Sequence, residues 1–148
     1  MLGPRLFRLC SRIFREVYGR VPILGELRSS VAVIRRGERY LLQQRSDGLG
    51  WAFPGGVAWF WEQPEQTLAR EVFEETGLTI ASPRLLFVYH DRTFIPSRIS
   101  VFAAEATGEL RGSWEGEASW QDLNEVRKAV FPAQLPLLAY LDRTSAPR

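Results

Sequence analysis

Among its 148 residues the chain has one cysteine, one histidine, one methionine and one lysine. The single cysteine, Cys10, excludes an intrachain disulfide and any zinc site built from several cysteines. This fits a reducing cytoplasm, the compartment we expect. No apolar run reaches about 18 residues, so no membrane-spanning helix is expected. Arg5, Arg8, Arg12 and Arg15 interrupt the first apolar stretches, which therefore do not read as a secretory signal. A large excess of charge of one sign is missing too. Net charge is +2, too little to argue for nucleic acid, and no DNA partner is expected. Lys128 is the only lysine, so the cationic side chains are almost all arginine. That skew suits bidentate phosphate recognition, and genome composition explains it equally well.

What is present is an ordinary globular composition, 45% hydrophobic and 24% charged, on a length that gives one domain with a real core. Leu2, Leu6, Leu9, Ile13 and Val17 recur at helical spacing, with the four arginines named above on the other side. Residues 4–18 therefore read as an amphipathic helix. Packing on the body or on a second subunit is the plainer use for it; a membrane surface or an RNA contact through residues 1–18 stays open. Gly19, Pro22 and Gly25 then break the chain, and we divide it into a helical extension, 1–27, and a main domain, 28–148. Strands are expected at Ser30–Ile34, Tyr40–Arg45, Leu85–His90 and Ile99–Ala104, and a short closing helix at Ala133–Leu141. Strands mixed with two or three helices imply an α/β or α+β sandwich.

The helix expected over 64–76 carries the chemistry. Gln63-Pro64 marks its start and Gly77 its stop. Glu71, Glu74 and Glu75 are three and four residues apart, hence neighbours on its surface. Like charges about 6 Å apart at an effective dielectric near 20 repel by on the order of 3 kcal/mol per pair. A hard divalent cation, Mg²⁺ or Mn²⁺, would remove that cost and prefers such oxygen ligands. The plainer reading is a solvated acidic face. Leu68, Ala69, Val72, Phe73 and Thr76 fall on the opposite arc, so the helix is expected to pack through them with its acids outward. Arg70 is placed to brace Glu74. Upstream, Pro54-Gly55-Gly56 forms a tight turn whose backbone can approach a ligand.

Gly56, Glu62, Arg70, Glu71, Val72, Glu74, Glu75, Gly77 and Leu78 fill every specified position of the Nudix box, and the chain resembles that hydrolase family. Trp51–Gly56 resembles the family's approach to the box. Trp120, preceded by Glu115 and Glu117, resembles its late acidic segment. The resemblance implies a mixed sheet between helices and metal-dependent hydrolysis of a phosphoanhydride bond in a nucleoside diphosphate derivative, such as a nucleoside triphosphate or an ADP-ribose-like compound. The alternative is a non-catalytic, nucleotide-sensing Nudix-like regulatory domain. By matching position, Glu74 and Glu75 are expected as metal ligands with the Gly56 carbonyl, Glu71 as a ligand or the general base, and Arg70 as the residue that holds a glutamate in place. Glu62 is expected to support the loop. A later glutamate, Glu117 first and Glu115 second, is expected to assist as ligand or base. Arg45, Trp51 and Gly55 are the expected substrate contacts, with Arg92 and Arg98 as weaker phosphate candidates and His90 as a structural strand-end residue. Trp59-Phe60-Trp61 stands where many members carry a glycine before the loop glutamate. It reads as a hydrophobic seam, a subunit interface or an aromatic wall for substrate. A homodimer through this loop or the first helix is compatible with the sequence.

Overall fold

Ser30-Val31-Ala32-Val33-Ile34 lacks the alternation of a half-solvated strand, and such runs are buried on both faces of a sheet. In the computed structural model, which describes residues 25–113 and 115–145, this run is the centre of β1 (Leu27–Arg36). β1 pairs in parallel with β6 (Ser97–Thr107) and antiparallel with β4 (Gly55–Val57). It meets β2 (Arg39–Arg45) only at the hairpin end, Arg35 to Tyr40 and Arg36 to Arg39. β2 continues to β3 (Trp51–Ala52) on one side and β7 (Gly116–Asp122) on the other, and β5 (Thr79–Asp91) closes the far edge against β6.

Successive side chains of β1 point to opposite faces, and each face meets a helix. Ala32 and Ile34 join Leu41, Leu78 and Phe102 beneath Leu68 and Val72 of α1 (Pro64–Thr76). Val31 and Val33 join Leu42, Phe53, Ile99 and Val101 beneath Leu137, Leu138 and Leu141 of α3 (Leu135–Ser145). The result is the expected α/β/α sandwich around a mixed sheet. A short α2 (Leu123–Lys128) follows β7 directly. Among the described residues no helix is long and apolar enough to cross a membrane. The amphipathic helix expected over 4–18 lies outside the described residues.

Differences from expectation are local. β3, β4, β7 and α2 carry no run of residues long enough to announce them; β7 exists because seven of its residues pair with β2. The closing helix opens as a 3₁₀ turn, Pro132–Gln134, before α3. α1 is rotated from the expected phase. Ala69 and Phe73 are exposed, while Glu75 is buried beside Leu68, Val72 and Thr76. The buried residues 67, 68, 72, 75 and 76 form one continuous helical stripe, and Glu75 lies inside it.

α1 begins at Pro64, whose missing N–H costs nothing there, with the Gln63 N–H donating to Gln66 Oε1 at 2.8 Å. It ends at Gly77, which takes the left-handed φ of 74° and donates its N–H to the Phe73 carbonyl at 2.9 Å. Gly55 is required for another reason: a Cβ there would lie 2.1 Å from the Ser30 carbonyl oxygen of β1. Gly55→Ala must therefore push β4 off the sheet. We expect a loss of about 3 kcal/mol in urea unfolding, at the upper end of overpacking costs; a loss below about 0.5 kcal/mol would mean that β4 does not approach β1 this closely.

Candidate functional site

β4, the loop 58–63 and α1 form a strand-loop-helix unit tied together by one ion pair. Arg70 donates from Nε to Glu62 Oε1 at 2.7 Å and from Nη2 to Glu62 Oε2 at 2.9 Å. The same guanidinium reaches Glu71 Oε1 at 2.7 Å, Glu74 Oε2 at 3.2 Å and the Val57 carbonyl at 3.0 Å. Arg70 braces Glu74 as expected, but its principal partner is Glu62. Glu62 also accepts from the Trp59 N–H at 2.9 Å and the Thr67 hydroxyl at 3.0 Å. The Arg70 guanidinium above all, with these two donors, holds the Glu62 carboxyl down at about 2 despite its burial.

The other acids are pushed the opposite way. Burial raises Glu71, against the pull of Arg70, and the charges of Glu115 and Glu74 add to the rise. Glu75 goes well above the usual carboxylate range because of its burial, then because of Glu115 and Glu71. The Gly55 N–H, 2.9 Å from Glu75 Oε2, and the more distant Arg45 oppose this. Glu115 is raised by its own burial and by Glu74, while Arg45 and a hydrogen bond with Glu75 draw it down. Glu71, Glu75 and Glu115 thus share one environment in which burial and neighbouring acids disfavour the anionic form, and the exposed Glu74 carboxylate lies at its edge.

Gly56 lies against this cluster. A Cβ on Gly56 would fall 2.4 Å from Glu71 Cδ and 2.6 Å from each of its carboxylate oxygens. No three acidic side chains among the described residues are already gathered into a ligand set for one ion. The donor chemistry nevertheless fits a hard divalent cation. Every side-chain donor is a carboxylate oxygen, burial disfavours the charged form of Glu71, Glu75 and Glu115, and a glycine backbone packs directly on Glu71.

Beside the cluster is a cavity of about 150 Å³ lined by Gly55, Gly56, Glu75 and Arg45, and by Phe94, Phe131 and Gln134 on its far side. Arg45, an expected substrate contact, reaches it. Its Nε donates to Asp47 Oδ1 at 3.0 Å, and its guanidinium lies 4.3 Å from the Phe131 ring centroid and 5.8 Å from that of Phe94. Phe94 and Phe131 meet edge to face at 4.8 Å. Gln134 is fixed by donating to the Phe53 carbonyl at 3.0 Å and accepting from the Phe53 N–H at 2.7 Å.

Two expected residues stand elsewhere. Trp51 does not line this cavity; it is half-buried against the core, and its backbone bonds Ala129 and Phe131. Its neighbours in sequence, Ala52 and Phe53, line the cavity instead. Glu117 is exposed on β7 opposite the exposed Gln44, whereas Glu115, in the turn before β7, joins the acidic cluster. Arg92 and Arg98 are exposed and line neither the cavity nor the groove beside Glu71. His90 Nδ1 is 2.7 Å from Glu26 Oε1 at a strand end. Sequence reasoning missed Phe94, Phe131 and Gln134. Phe94 and Phe131 carried no signal beyond being aromatic residues near a predicted element, and Gln134 none beyond lying in the expected closing helix.

Three comparisons bear on this geometry. The model of the NUDIX domain matches residues 26–141. A "MutT-like protein" of Streptomyces ambofaciens is 39% identical over 110 residues, which are 74% of this chain and 71% of that protein. An "Uncharacterized Nudix hydrolase YvcI" of Bacillus subtilis (strain 168) is 31% identical over 103 residues, 64% of this chain and 65% of the relative. Among solved structures, the MutT NUDIX hydrolase of Burkholderia pseudomallei superposes with a TM-score of 0.60 at 28% identity, covering 68% of this chain and 85% of that one.

Proposed function

The chain belongs to the Nudix family of hydrolases, and from that premise we propose that it is a Mg²⁺- or Mn²⁺-dependent pyrophosphohydrolase acting on a nucleoside diphosphate derivative. The observation that carries the reading is the acidic cluster. Glu71, Glu74 and Glu75 come from one helix and Glu115 from a turn 40 residues away, and all four couple beside a cavity lined by Arg45, Phe53, Phe94 and Phe131.

In this reading Glu74, Glu75 and the Gly56 carbonyl hold the cation, with Glu71 as a further ligand or as the base. A bound cation would neutralise phosphate oxygens and acidify a ligated water. Glu71 is suited to accept the water's proton because burial and its acidic neighbours already raise its proton affinity. Glu115 takes the supporting part first given to Glu117. Arg70 keeps Glu62 and Glu71 in position and thereby fixes the loop that carries Gly56. Arg45 offers its guanidinium to a phosphate, and the Phe94–Phe131 pair offers a face and an edge to a base.

The test is a panel of nucleoside triphosphates, sugar nucleotides, ADP-ribose and dinucleoside polyphosphates with Mg²⁺ and with Mn²⁺. The expected result is cation-dependent release of a nucleoside monophosphate, phosphate or pyrophosphate from at least one of them, abolished by EDTA. Turnover of none would overturn the proposal, and tight nucleotide binding without turnover would favour a nucleotide-sensing domain.

A further inference from the structure

Trp59, Phe60 and Trp61 expose 54%, 86% and 62% of their surface, the most exposed run of large apolar side chains among the described residues. Large exposed apolar patches are costly and mark sites of interaction. The backbone beneath these rings is not loose. Arg28 donates to the carbonyls of Trp59 at 3.2 Å, Phe60 at 2.9 Å and Glu62 at 3.2 Å, and the Trp59 N–H is held by Glu62. The rings brace one another: Trp59 and Trp61 are parallel with centroids 5.7 Å apart, and Phe60 meets Trp61 edge-on at 4.5 Å. A fixed backbone that presents rings to solvent is a preorganised stacking surface.

Trp59 and Phe60 line a groove of about 710 Å³ whose other walls include Arg28, Arg70 and Glu71. Leu27 and Val57 line both this groove and the Arg45 cavity. One track therefore runs from the Phe94–Phe131 pair, past Gly56 and Glu71, to the aromatic loop. A diphosphate held at Glu71 has a ring-binding wall on each side. We propose that the Trp59–Phe60 wall is a second substrate subsite, which takes a heteroaromatic base attached to the far side of the scissile diphosphate, so that the preferred substrates carry a ring at both ends. This rests on the hydrolase reading above. An acyl chain or an apolar helix stripe suits the groove less well, because its walls include the polar groups of Arg28, Arg70 and Glu71, whose remaining contact with water such an occupant would remove without replacing.

The experiment compares kcat/KM for diadenosine tetraphosphate and for ATP in the full chain, in Phe60→Ala, in Trp59→Ala/Phe60→Ala and in Phe60→Tyr. Stacking of a base on an aromatic side chain is worth about 1–3 kcal/mol, which is about five- to 150-fold in affinity. The native chain should prefer the two-ringed compound by about tenfold or more. That preference should fall about tenfold in the alanine variants, chiefly through KM, and persist in Phe60→Tyr. A native chain with no preference, or alanine variants that keep it, overturns the proposal. So does an unchanged preference in variants that lose a dimer on sedimentation or lose binding to anionic vesicles, which would assign the rings to that other occupant. If neither compound is hydrolysed, the hydrolase reading is decided by the wider panel above, and the subsite is tested by equilibrium binding. Weaker binding of diadenosine tetraphosphate to the double variant than to the native chain supports it, and equal affinities overturn it.

Discussion

Glu74→Gln is expected to lower kcat by about three orders of magnitude at saturating Mg²⁺ while changing unfolding stability by less than about 0.5 kcal/mol. The two effects separate because Glu74 is the outermost acid of the cluster, 57% exposed, with one 3.2 Å contact to Arg70. Exposed pairs of this kind contribute little to folding. A glutamine amide keeps the size of the side chain but removes the charge that the proposed cation requires. Glu75→Gln is the companion variant. Glu75 is buried, its burial disfavours the charged carboxylate, and a glutamine removes that charge at the same size. The cation-free protein should therefore be no less stable with glutamine there, yet activity should be lost and stabilisation by added Mg²⁺ should fall. Steady-state kinetics and urea unfolding with and without Mg²⁺ read both quantities. A Glu74→Gln enzyme that keeps more than a tenth of native kcat would remove Glu74 from the ligand set.

The largest loss of stability is expected from Arg70→Ala, about 3–4 kcal/mol, because removing one partner of a buried ion pair leaves the other charge without compensation. Here that charge is Glu62, 9% exposed in its side chain, and Glu71 loses a 2.7 Å partner at the same time. Arg70→Lys should recover little. A single ammonium cannot span both Glu62 oxygens, Glu71 and the Val57 carbonyl as the planar guanidinium does. The pH dependence has a definite sign. The folded Glu62 carboxyl is lowered from 4.5 to about 2, so its stabilising contribution is complete above pH 4.5 and is lost as pH falls toward 2. The gap between native protein and Arg70→Ala should therefore narrow by about half between pH 7 and pH 3. An equal gap at both pH values would show that lost packing, not the ion pair, accounts for the effect.

Near-neighbour features were legible without coordinates. Gln63-Pro64 and Gly77 bound α1 at the residues where it begins and ends, because capping depends on a few adjacent backbone groups. The clustering of Glu71, Glu74 and Glu75 is a property of helical spacing alone. The phase of α1 was less legible. Leu68, Val72 and Thr76 are compatible with Phe73 or Glu75 completing the apolar stripe, and hydrophobicity argues for Phe73. The structure buries Glu75, because the Gly55 N–H waits there as a donor and Gly55 comes from a strand 20 residues away.

The choice between Glu115 and Glu117 was likewise beyond local pattern, since two residues of the same parity look alike in a strand. It was decided by where β7 begins on the β2 ladder: Gly116 stands opposite Arg45, which puts Glu115 past the last rung and among the acids of α1. The choice of Phe94 and Phe131 over Trp51 as the cavity's aromatic wall has the same origin, a meeting of segments far apart in the chain. What the sequence by itself determined was the acid-bearing helix, its ends and its acids, along with the class of fold. Tertiary structure alone decided which acid turns inward, which glutamate joins from afar and which rings line the cavity. Helical spacing and end-capping act over about four residues, whereas each of those decisions is a contact between groups 20 or more residues apart, set by strand register and packing.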